Sequence, residues 1–140
     1  MKANDLRIGN WIKYEDKLVQ VVQLSSLMIL CQRDENQFLV NCEPKVFQPI
    51  ELTEELLLKI GFELMNTKNH KGFEMVREIE EDVYEFLVFK IFSDNTLLHM
   101  RKSKGGGFEY GEFTKRGIKY LHELQNAYFL LTNQEMEIEL

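Results

Sequence analysis

Pro49-Ile50-Glu51-Leu52-Thr53-Glu54-Glu55-Leu56-Leu57-Leu58-Lys59-Ile60-Gly61-Phe62 encodes a short helix together with both of its end signals. Thr53 suits the N-cap, because its hydroxyl can accept an otherwise orphaned backbone N–H. Glu54 and Glu55 follow in the first turn, where negative charge complements the helix dipole. Leu52 can staple to Leu57 across the cap. Gly61 supplies the left-handed residue that ends the helix, and Phe62 can then cover Leu57. The spacing predicts a helix over 54–60. Pro44 and Pro49 cannot continue a central strand, so they mark a boundary between a lobe at 1–48 and a second at 49–140.

On the N-terminal side, residues 6–48 read as short strands separated by turns. Gly9-Asn10 precedes Trp11-Ile12-Lys13-Tyr14, and Glu15-Asp16-Lys17 turns the chain into an apolar-rich stretch at 18–24. Ser25-Ser26 breaks that stretch, and strands at 27–31 and 38–40 follow. Strands this short and this closely spaced predict a small, strongly curved, SH3-like β-barrel lobe. A hairpin of 28–32 with 37–41, turning on Arg33-Asp34-Glu35-Asn36, would set residue 32 against 37. Cys31 then faces Phe38, Cys42 lies beyond Met28, and the two thiols do not meet.

On the C-terminal side, antiparallel strands are expected over 62–113. Phe73, Met75 and Ile79 alternate with Glu74 and Glu78, whereas 84–92 is apolar on both faces and reads as a central strand. Asp94-Asn95 turns into 96–101, and Lys104-Gly105-Gly106-Gly107 precedes a short edge strand at 108–110. A helix over 117–131 carries Ile118, Leu121, Leu124, Tyr128 and Leu131 as one stripe. Thr132-Asn133 stops it, and the tail to Leu140 can add a short strand. The fold class is α+β: a barrel-like lobe followed by an antiparallel sheet packed against a C-terminal helix.

The 140 residues are 44% hydrophobic and 29% charged, the composition of a globular chain that folds without a staple. A formal charge of −6 repels polyanions and anionic membranes at long range. No run approaches the ~20 apolar residues of a membrane helix. The polar N-terminus does not read as a signal peptide, and two unpaired cysteines fit a reducing, cytoplasmic setting.

Leu6-Arg7-Ile8-Gly9-Asn10-Trp11, the stretch from Pro49 through Glu55 with Gly61-Phe62, and His122-Glu123-Leu124-Gln125-Asn126-Ala127-Tyr128-Phe129 together resemble a family of small proteins. Its members are encoded by anaerobic gut bacteria, often within their phages and mobile elements. Asn133 stands where that family is expected to have Gly. The resemblance implies a cytoplasmic, mobile-element setting and supplies no activity.

Candidate chemistry is sparse. Between residues 99 and 119, Arg101, Lys102, Lys104, Lys115, Arg116 and Lys119 stand against Glu109 and Glu112, a local +4 that leaves −10 elsewhere. Phe108 and Tyr110 are interleaved with these cations, the combination that binds single-stranded nucleic acid or phosphate. His122, Gln125 and Asn126 share a helical face and can make a polar site. His70, His99 and His122 have no metal-ligand spacing, no serine lies in a nucleophile elbow, and no cofactor is implied. The expectation is a non-enzymatic binding or accessory protein, with a protein partner or self-association ahead of nucleic acid. An enzyme with an unrecognised site comes third.

Overall fold

The computed structural model describes residues 2–33, 38–67, 70–80, 83–90, 96–102, 108–113 and 117–140. Among the described residues, two sheets and two α-helices make an α+β fold. The chain divides into one unit of Met1–Glu51 with Tyr120–Asn126 and another of Leu52–Lys119 with Ala127–Leu140.

The first unit holds β1 (Trp11–Tyr14), β2 (Lys17–Leu24), β3 (Ile29–Arg33) and β4 (Phe38–Cys42), hydrogen-bonded in that order. Tyr14 pairs with Lys17, so Glu15 and Asp16 form a two-residue turn, with φ of 48° and 62°. Two positive φ values define the type I′ turn that matches strand twist, though neither residue is the glycine or asparagine such turns favour.

In β2 a bulge changes the alternation. Val21 pairs with Cys31 but Gln23 pairs with Leu30, leaving Val22 as the extra residue. Strict alternation from Val19 and Val21 would send Gln23 inward. The bulge instead turns Leu24 onto the core of Leu6, Ile12, Val19, Val21, Ile29, Cys31 and Phe47. Beyond β1, Lys13 and Gln48 exchange backbone bonds of 2.8 and 2.9 Å after a 3-10 turn at Pro44–Val46. Pairing between β1 and β4 is absent among the described residues, so the ladder remains four-stranded.

Two expectations here are corrected. Leu27 and Met28 lie in a turn rather than in β3, because the Ser25 hydroxyl accepts the Met28 N–H and donates to its carbonyl. The hairpin register is also displaced: Gln32 pairs with Leu39, Cys31 with Val40 and Cys42 with Ile29. The cysteines still do not stand opposite each other, and both are free. The turn residues 34–37 lie outside the described residues.

In the second unit α1 (Glu54–Lys59) begins and ends through local bonds. Thr53 Oγ1 accepts the Leu56 N–H at 3.1 Å. Gly61 has φ 95°, and the Phe62 and Gly61 N–H groups reach the Leu57 and Leu58 carbonyls at 2.9 and 3.1 Å, a Schellman cap. β5 (Glu63–Thr67), β6 (His70–Glu80), β7 (Val83–Lys90), β8 (Thr96–Lys102) and β9 (Phe108–Phe113) form an antiparallel meander. β7, the segment read as central, is third of the five.

The closing helix α2 (Leu121–Thr132) starts four residues later than the helix expected over 117–131. The reason is a competing backbone interaction. Tyr120 bridges Glu51, the Leu121 N–H donates to the Ile50 carbonyl, and the Lys119 carbonyl accepts the Leu52 N–H. Glu123 then accepts the Tyr120 N–H at 3.1 Å, capping the first turn. Asn133, at φ 56°, takes the left-handed stop position and donates to the Phe129 carbonyl. The tail after Asn133 forms no strand among the described residues.

Candidate functional site

The polar face of α2 meets the segment just before β1. Arg7-Ile8-Gly9-Asn10 is a β-turn closed by a bond from the Asn10 N–H to the Arg7 carbonyl. Its third residue, Gly9, has φ 90°, which a side chain would make costly. This turn leaves the Gly9 carbonyl and the Trp11 N–H needing partners, and both find them on one residue. The Trp11 N–H donates to Gln125 Oε1 at 2.9 Å, and Gln125 Nε2 donates to the Gly9 carbonyl at 3.2 Å. Gln20 Nε2 donates to the same carbonyl at 3.1 Å, filling its second lone pair.

A second chain of bonds runs beside the first. The Arg7 N–H donates to Asn10 Oδ1 at 2.8 Å, and Asn10 Nδ2 donates to Asn126 Oδ1 at 3.1 Å. Asn126 Nδ2 then donates to the Asp5 carbonyl at 3.0 Å. Backbone groups of fixed polarity stand at both ends, so each amide can point only one way. Asn10 is fully buried and Gln125 nearly so. These bonds replace hydration that the buried groups have lost, and removing one partner would strand the other.

Trp11 and Lys13 alternate along β1, so the Gln125 oxygen and the Gln48 backbone lie along the same strand edge. A side chain from α2 thus takes the place of a strand at that edge. The predicted polar site of His122, Gln125 and Asn126 contains a structural clasp on residues 5–11 through its two amides.

His122 stands apart from those bonds. Its ring is buried and stacks on Tyr120 at 5.8 Å and 7°, and its Nδ1 has no hydrogen-bond partner among the described residues. Burial holds the imidazole pKa below its usual value, against the pull of Glu123 and Asp5.

The basic segment is placed by strand register. Arg101 and Lys102 lie on β8 opposite Glu109 and Phe108 of β9, and Met100 lies opposite Tyr110. Lys119 is exposed just before the Glu51–Tyr120 bridge. Lys104, Lys115 and Arg116 lie outside the described residues. Register thus brings Arg101, Lys102, Phe108 and Tyr110 onto neighbouring strands.

Among the described residues no group of three or more His, Cys, Asp or Glu could hold a metal. No described helix is long and apolar enough to cross a membrane. A groove of about 110 Å³ lies between Gln23, Ser25, Met28, Leu30 and Asn41. It is well below the ~300 Å³ at which small-molecule pockets begin. Comparison with protein-family models, curated proteins and solved structures finds no match.

The sequence singled out Gln125 and Asn126 but missed Gly9 and Asn10, their counterparts. Gly9-Asn10 announced a turn. Nothing local announced that the turn would be read by side chains more than a hundred residues away.

Proposed function

We propose that this chain is a non-enzymatic binding or accessory protein that works in the cytoplasm through contacts with other protein chains. The observation that carries the reading is a pair of half-exposed leucines, Leu58 on α1 and Leu64 on the outer strand β5, at 52% and 43% exposure. Single exposed leucines are ordinary. Here one lies on a sheet edge and the other on the helix that leads into it, a setting suited to a partner chain.

The two free cysteines fit a reducing compartment. An SH3-like first lobe is part of the same reading, supported by the Lys13–Gln48 bridge that returns the chain onto β1. Packing of the five-stranded sheet against α2 is supported by the burial of Ala127 and Tyr128 alongside Phe73 and Met75. Kinship with the small proteins of gut anaerobes and their mobile elements belongs here too. It rests on the sequence stretches at 6–11, 49–55 with 61–62, and 122–129.

A photo-crosslinking amino acid at position 58 or 64, in the full chain expressed in cells, tests the proposal. Protein adducts of discrete mass are expected there and not from exposed positions 17 and 139. Absence of adducts at 58 and 64, or equal labelling at all four positions, would overturn it.

Single-stranded nucleic-acid or phosphate binding through 99–119 is the second reading. The observation favouring it is the pairing of Lys102 with Phe108 across β8 and β9. Fluorescence anisotropy with a labelled single strand should show binding that weakens steeply with salt. No binding at low ionic strength ends this reading.

A further inference from the structure

We infer that the protein partner includes a second copy of this chain, joined through an antiparallel pairing of β5 with its own counterpart across a two-fold axis. The inference rests on the protein-contact reading above and names its occupant. β5 is the first strand of the sheet and pairs only with β6 among the described residues. Outer strands expose unpaired backbone groups, and proteins usually guard them with lysine, proline or a bulge. Glu63-Leu64-Met65-Asn66-Thr67 contains neither lysine nor proline, and its pairing with β6 runs without a bulge.

The sequence of β5 is self-complementary in that register. A two-fold axis at Met65 sets each Met65 against its copy, Leu64 against Asn66, and Glu63 against Thr67. The two Glu63 residues, the only charges on the strand, then lie four residues apart along it. At about 3.4 Å per residue that separation is about 14 Å, beyond the ~8 Å screening length at physiological salt. On the opposite side of the sheet the two copies of Leu64 become diagonal neighbours, close enough to cover one another. Leu64 already stands across from Phe73, which is fully buried, so pairing would extend an existing apolar row.

The other outer strand of this sheet fails the same test. Two copies of β9 paired end to end would set Glu109 against Glu112, with like charges face to face. The outer edge of β1 is already occupied by Gln48 and Gln125.

Light scattering on the full chain gives the test. Wild type should run at twice the 16.6 kDa chain mass. Leu64→Lys and Leu64→Glu should each weaken the dimer at least about tenfold, by lost apolar cover and by diagonal like charges. An equimolar mixture of the two should restore a mixed dimer, a rescue that a misfolded variant cannot give. Hydrogen exchange on wild type supplies an independent readout, since amides of 63–67 should gain protection as concentration rises. A wild-type monomer at about 100 μM, a dimer indifferent to Leu64→Lys, or concentration-independent exchange at 63–67 would overturn the inference. Adducts from position 58 or 64 to another protein, with a monomeric wild type, would leave the broader binding reading standing.

Discussion

Replacing Gln125 with alanine should release the segment that leads into β1. Its Oε1 accepts the Trp11 N–H, and its Nε2 donates to a Gly9 carbonyl that Gln20 also serves. After truncation Gly9 keeps one donor, so that side of the loss should be about 0.5–1 kcal/mol. The part-buried Trp11 N–H has no second acceptor among the described residues, and stranding such a group costs about 1–3 kcal/mol. A total near 2–3 kcal/mol follows. At roughly 2.1 cal/mol/K per residue, a 140-residue chain loses about 3 °C of Tm per kcal/mol, so the shift should be about 6–10 °C.

Trp11 is the only tryptophan in the chain and sits in the clasp, so its emission reports opening at the site itself. Urea unfolding followed at that residue, with amide exchange at Trp11, measures the effect. Gln125→Met keeps the volume while removing both bonds, and should retain most of the destabilisation. A change under about 0.5 kcal/mol, with Trp11 emission and exchange unaltered, would refute the reasoning. So would full recovery in Gln125→Met, since packing rather than hydrogen bonding would then account for the loss.

Three further outcomes are expected. Changing Glu15 to Asn and Asp16 to Gly gives the β1–β2 turn residues that accept positive φ, and should raise stability by about 1–2 kcal/mol in urea titration; no gain would mean the turn is not strained. His122 has its pKa lowered by burial, so the unfolded chain binds its proton first, and stability should fall as pH drops below 6.5 and level off below the folded-state pKa. His122→Phe should flatten that part of the pH–stability curve, and an unchanged slope would assign the acid sensitivity elsewhere. Burial pushes the Cys31 thiol up to about 12, so a thiol reagent at pH 8 should leave Cys31 unmodified in the folded chain and label it in denaturant; rapid native labelling would contradict its burial.

The amino-acid sequence alone determined the features whose causes lie within a few residues. Thr53, Gly61 and Phe62 specify both ends of α1 because each bond closes over three to five positions. The two-faced apolar run identified the middle strand of the meander, and Asn133 the end of α2, for the same local reason. Tertiary structure decided the rest. Whether Gln23 or Leu24 turns inward depends on where β3 meets β2 and where the ladder admits an extra residue. The start of α2 depends on whether Lys119, Tyr120 and Leu121 spend their backbone groups on a helix turn or on residues 50–52. The amides of Gln125 and Asn126 acquired a role only when folding brought them to residues more than a hundred positions earlier. A buried polar group must be matched in space, and no periodicity along the chain records which partner will arrive.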